Sequence, residues 1–66
     1  MKGTIRTLNV ERGFGFIKGQ DGVEYFFHRT SLARGVQFES LALGEIVSFN
    51  VTQSDKGPRA ADVTRG

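Results

Sequence analysis

The chain has 66 residues, enough for one small domain over residues 1–66 and too few for a second core. With no cysteine and a single histidine it can form no disulfide or thiolate metal site, and no metal or other cofactor is expected. Nine Lys and Arg against seven Asp and Glu leave a formal charge of +2, a mild excess that alone selects no partner. No apolar run approaches a membrane span, and Met1 to Thr4 lead straight into strand-like sequence, so a cytoplasmic protein with no membrane partner is expected.

Thr4 to Asn9 reads as a first strand, with Thr4, Arg6 and Leu8 on one face and Gly3, Ile5 and Thr7 on the other, Ile5 alone being core. After the polar connection Asn9-Val10-Glu11-Arg12, a second strand runs from Gly13 to about Gly19. Alternation places Phe14 and Phe16 on one face with Arg12 and Lys18, and Gly13, Gly15, Ile17 and Gly19 on the other. Rings set among cations form a stacking platform for bases, with the cations at its ends for phosphates. Alternatively, the rings are core and the glycines mark a bend or a close backbone approach. On this stretch the two readings stand level.

Asp21-Gly22 carries the signature of a tight hairpin turn. In the third strand, Val23 to His28, the residues Val23, Tyr25 and Phe27 form an apolar set, whereas Glu24, Phe26 and His28 again place a ring among polar groups. Paired with the second strand, Phe26 extends the surface begun by Phe14 and Phe16, which favours the platform. Thr30 to Gly35 predicts one helical turn with a hydroxyl cap and Gly35 in the left-handed position after it. Val36 to Gly44 is a long connection carrying Phe38, either a functional ring or a plug, with Leu41 and Leu43 as its anchors.

Glu45 to Gln53 alternates most clearly, with Val47, Phe49 and Val51 facing in. Ser54 to Pro58 is a turn, and Arg59 to Thr64 a last strand with Ala61 and Val63 inward. Five short strands and no helix of useful length predict an all-β fold, most economically a small five-stranded antiparallel Greek-key barrel without exposed edges. An enzyme is not expected. His28 has only Glu24 as a carboxylate on its strand face, and Gly13-x-Gly15 is followed by no helix that could receive a pyrophosphate, so neither catalytic residues nor a small-molecule substrate is assigned.

Arg12-Gly13-Phe14-Gly15-Phe16-Ile17 and Phe26-Phe27-His28 resemble the first and second ribonucleoprotein motifs of the bacterial cold-shock proteins. The resemblance covers essentially the whole chain. It includes Asn9 after the first strand, Gly44-Glu45-Ile46-Val47-Ser48-Phe49 at the fourth, and the ending from Lys56-Gly57-Pro58-Arg59 through Ala60-Ala61-Asp62-Val63-Thr64. It implies a barrel of the oligonucleotide-binding type and a passive RNA chaperone that binds single-stranded RNA and DNA with weak sequence preference, a monomer being the simplest case. By the same resemblance Phe14, Phe16 and Phe26 stack on bases, His28 stacks or hydrogen-bonds beside them, and Phe38 closes over a base from its loop. Arg6, Arg12, Lys56 and Arg59 occupy positions where the family meets phosphates and base edges, and Lys18 adds to that field. Two departures reduce the platform: Thr7-Leu8 stands where the family usually has Trp-Phe, and Arg29 where it usually has Phe. Each lost stacking partner costs about 1–3 kcal/mol, part of which Arg29 can recover by stacking and meeting phosphate. A barrel that has turned its reduced platform to protein contacts is the competing expectation. Tyr25, where the family prefers a small aliphatic residue, needs a partner for its hydroxyl if buried.

Overall fold

The computed structural model describes residues 1–55 and 57–66. Its strands are β1 (Lys2–Asn9), β2 (Phe14–Gly19), β3 (Glu24–His28), β4 (Ile46–Ser54) and β5 (Gly57–Arg65). They close into a barrel in the order β1-β2-β3-β5-β4, as the all-β reading expects. One seam departs from the antiparallel expectation: β3 and β5 run parallel and meet through the single pair Phe26↔Arg59. Among the described residues no helix is long and apolar enough to cross a membrane.

The core is the inner face of these strands. Ile5, Ile17, Tyr25, Phe27, Val47, Phe49, Ala60 and Val63 are buried there, and Phe38 and Leu41 close it from the long connection. Tyr25 finds the partner its hydroxyl requires, donating to the Asp21 carboxylate at 2.5 Å, while its ring tilts against Phe49 with centroids 5.2 Å apart. The same Asp21 accepts from the Val23 N–H at 3.1 Å, and Gly22 takes a φ of 84° to complete the turn from β2 to β3.

Two irregularities overturn face assignments made from simple alternation. Between β1 and β2 the register runs Ile5↔Ile17 and then Thr7↔Phe16, so Arg6 is an extra, exposed residue. Beyond it the parity of β1 reverses. Thr7 turns to the outer face opposite Phe16, while Leu8, opposite Gly15, packs against the core. Between β4 and β5 the register slips after Ser48↔Thr64 to Asn50↔Ala61, where Asp62 takes a φ of 52° and accepts from Asn50 Nδ2 at 3.1 Å. The inward residues of β5 are therefore Ala60 and Val63, not Ala61 and Val63. Val51 is opposite Ala60 but is exposed all the same. Val23, in the hairpin just before β3, and Leu43, in the connection before β4, also lie outside the core.

The expected helical turn is a short 3-10 turn at Arg29–Ser31, and its cap is His28, whose ring accepts from the Thr30 N–H. Gly35 has the predicted positive φ of 88°. At the barrel's other end Arg65 Nε donates to Glu45 at 2.5 Å, the one ion pair among the described residues, and holds the Glu45 carboxyl below its usual range.

Phe38 is 5 % exposed, with its ring 5.9 Å from that of Phe27. Phe38→Ala is expected to destabilise the barrel by about 3–5 kcal/mol in urea unfolding, a core cost. The Asp21–Tyr25 bond makes stability depend on pH at both extremes. The Tyr25 hydroxyl, followed by the Val23 N–H, holds the Asp21 carboxyl below the usual carboxylate range. That contribution is complete above the ordinary carboxylate pKa and is lost as the pH falls through the depressed value. The hydrogen bond to Asp21, then burial, raises the Tyr25 phenol, whose contribution is complete below its ordinary pKa and disappears as the pH rises through the raised one. Thermal melts against pH are expected to show a flatter acid limb for Asp21→Asn, which retains the share of Glu45.

Candidate nucleic-acid interface

Asn9 sets the approach to the site. Its side-chain oxygen accepts from the Arg12 N–H at 3.1 Å and its carbonyl from the Gly13 N–H at 2.8 Å, and Gly13 takes a φ of 72° that turns the chain into β2. The pairs Phe14↔His28, Phe16↔Phe26 and Lys18↔Glu24 then put these six side chains on the outer face of β2 and β3. On the β1 side the face continues through Asn9, Thr7 and Thr4, opposite Phe14, Phe16 and Lys18 respectively; on the β5 side it reaches Arg59, opposite Phe26.

Three half-buried rings meet on this face. Phe14 and Phe26 stack with centroids 5.7 Å apart and planes 29° from parallel. Phe16 stands edge-on to both, 6.4 Å from Phe14 and 5.7 Å from Phe26. The Arg59 guanidinium lies 5.3 Å from the Phe26 centroid, a cation–π contact, and Phe16, Phe26, Ser54, Asp55, Pro58 and Arg59 line a cleft of about 500 Å³ beside it.

The rings face outward because the barrel leaves no room beneath them. A Cβ on Gly15 would run into the Thr7 carbonyl oxygen and come within 2.8 Å of the Phe27 ring. The close backbone approach and the outward rings, set against each other as alternatives in the sequence, are two sides of one arrangement.

The other expected site residues divide into groups. His28 adjoins Phe14, and its Nδ1, taking the Thr30 N–H at 3.3 Å, leaves Nε2 as the donor of the neutral ring. Arg29 donates its N–H to the Gly13 carbonyl at 2.7 Å and lays its stem over Gly13, where a Cβ would come within 2.9 Å of the Arg29 Cδ. Arg12 is exposed in the turn just before. Arg6 and Lys18 sit apart from the rings, on a second cleft. Phe38 is the clear correction: the plug reading holds, and its ring fills the core beside Phe27 instead of standing over the platform. Lys56 lies outside the described residues.

Sequence reasoning passed over Ser54, Asp55 and Pro58, which reach the platform only because β5 crosses to β3; no local pattern signals it. Among the described residues no group of three or more His, Asp or Glu side chains is placed to hold a metal ion.

The model of the 'cold-shock' DNA-binding domain matches residues 1–65. The chain belongs to the cold-shock domain family. Cold shock protein CspB of Geobacillus stearothermophilus is 39% identical over 64 residues, covering 97% of this chain and 96% of that protein. Cold shock-like protein CspC of Bacillus cereus is 35% identical over 65 residues, 98% of each chain, and cold shock-like protein CspE of Buchnera aphidicola is 40% identical over 63 residues, 96% of this chain and 91% of its own. Within this cold-shock domain Thr7 stands opposite Phe16, where a larger side chain would widen the platform toward β1.

Gly15→Ala is expected to destabilise the cold-shock barrel by about 1–3 kcal/mol, because Thr7 or Phe27 must move to admit the methyl group. Phe14→Ala, at a half-buried outer position, is expected to cost clearly less than Phe38→Ala in the same urea titration.

Proposed function

We propose that this cold-shock domain binds single-stranded RNA and DNA as a passive chaperone, acting as a cytoplasmic monomer. The observation that carries the reading is the cluster of Phe14, Phe16 and Phe26, three rings in mutual contact outside a core complete without them. Paired bases hide their faces within a helical stack, so a protein that offers ring faces selects strands whose bases are free. Each base–aromatic contact supplies about 1–3 kcal/mol irrespective of base identity, which accounts for weak sequence preference and for acceptance of either sugar.

Phe14, Phe16 and Phe26 stack, His28 donates from Nε2 at the edge of the rings, and Arg12, Arg29 and Arg59 supply the positive field for the backbone, with Lys56 assigned to it from sequence alone. Phe38 takes no part while it is in the core. Binding competes with base pairing and holds RNA open in proportion to the protein present, without ATP.

A labelled oligothymidine of eight nucleotides, titrated by fluorescence anisotropy at several salt concentrations, tests the reading; the label belongs on the strand because the chain has no Trp. Saturable binding that weakens with salt, yet persists where phosphate contacts are screened, is expected from stacking combined with charge. Absence of binding at low salt by a folded protein would overturn it and turn attention to a protein partner. Phe16→Ala is expected to lose at least about 1 kcal/mol of binding with the barrel still folded. Arg29→Ala is expected to reduce the salt slope by about 0.7, the contribution of one phosphate contact on a single strand.

A further inference from the structure

The hairpin of β4 and β5 ends beside the rings. Ser54 and Gly57 close its ladder, with the Ser54 hydroxyl donating to the Gly57 carbonyl at 2.9 Å, and Asp55 opens the turn. Further along the same ladder Thr52 pairs with Arg59, the residue that also joins β5 to β3 at Phe26. These pairings bring Asp55 and Arg59 to one cleft, the space of about 500 Å³ whose remaining walls are Phe16, Phe26, Pro58 and Ser54.

A carboxylate and a guanidinium that share a small cleft are expected to pair. These two do not. Asp55 is exposed and has no hydrogen-bond or ion-pair partner among the described residues, and Arg59 lies over Phe26 instead. The cleft therefore combines flat walls, two rings and a proline, with opposite charges that leave each other unsatisfied.

The geometry points to this cleft as a subsite for one guanine of the bound strand, with Asp55 and Arg59 as the residues that distinguish it from the other bases. The inference rests on the single-strand reading above and adds a base preference to it. Flat walls admit any planar ring, so the charges decide which base gains most. In a single strand both hydrogen-bonding edges of a base are open to side chains. Guanine alone of the common bases has two adjacent N–H donors, at N1 and N2, that match the two oxygens of a carboxylate, together with two acceptors, O6 and N7, that match the fork of a guanidinium. Thymine and uracil present one N–H between two carbonyl oxygens, which the Asp55 carboxylate repels. Cytosine and adenine offer it an amino group, yet the ring nitrogen beside that group is an acceptor turned toward the same carboxylate. The rest of the platform is rings that take any base, so one such position leaves the overall sequence preference weak.

The test compares labelled octamers by fluorescence anisotropy: an all-thymine strand, and the same strand with one central thymine replaced by guanine, by adenine, or by hypoxanthine, which is guanine without its 2-amino group. The guanine strand is expected to bind about five- to tenfold more tightly than the all-thymine strand, at the lower end of what a bidentate contact provides. Adenine, which stacks as a purine but lacks N1–H and O6, is expected to gain much less, and hypoxanthine to fall between them. Asp55→Asn keeps the shape of the side chain and removes its charge. In that variant the guanine advantage is expected to fall close to one and the all-thymine strand to bind more tightly, because a negative charge has left a site that holds a polyanion. Adenine equal to guanine would reduce the effect to purine stacking, and a guanine advantage that survives Asp55→Asn would remove Asp55 from it. Either result overturns the subsite while leaving the platform standing, as does a guanine strand no tighter than the all-thymine one. Failure of every strand to bind removes the single-strand reading and the subsite with it.

Discussion

The narrow gap between β1, β2 and the Phe27 ring governs the rest of this barrel. A small all-β domain without a disulfide must pack its inner face closely, and here the packing leaves only a hydrogen at Gly15. With Ile17 inside and Gly15 flush against Phe27, the intervening positions of β2 point out, so Phe14 and Phe16 are on the surface because the interior is full. The pairing with β3 then settles Phe26 and His28 without further choice, since residues opposite one another in a ladder share a face.

The same closure explains which expectations the sequence could support. β2 and β3 are legible because they are regular: Phe14, Phe16 and Phe26 fall where alternation puts them, and so do Ile17, Tyr25 and Phe27. β1 and β5 are not, because each carries a bulge at a residue with no marker of one. Arg6 reverses the parity of Thr7 and Leu8, and Asp62, in a left-handed conformation that Asp tolerates better than most side chains, moves the inward position from Ala61 to Ala60. Phe38 is a harder case. A ring in an irregular connection has no periodicity to place it, and only its packing against Phe27 shows that it walls the core there. The cations present the same difficulty, since charge on a strand names neither its neighbours nor its cleft; the separation of Arg6 and Lys18 from Arg29 and Arg59 is a product of the register.

An outer face bearing three apolar rings is a hazard for a protein free in solution, and the structure limits it by contact among the rings and by Arg59. Thr7 narrows the apolar surface further on the β1 side. With less ring surface on that side, the positive groups around the rings become correspondingly more important to any polyanionic ligand.

Arg59 does not close the site. A cation–π contact at an exposed position is worth about 0.5–1 kcal/mol, whereas a base stacked on the same ring returns about 1–3 kcal/mol. On the proposed single-strand reading a base can therefore displace the guanidinium from Phe26, and the freed group would remain tethered at its pair with Phe26, close to the backbone of the strand that displaced it. Alternatively the base stacks on the planar guanidinium itself, and the platform gains a fourth surface in place of the one that Thr7 does not provide. In both arrangements of the proposed binding the charge of Arg59 would be retained at the site, so its contact with Phe26 would serve as a resting position that covers the ring between ligands.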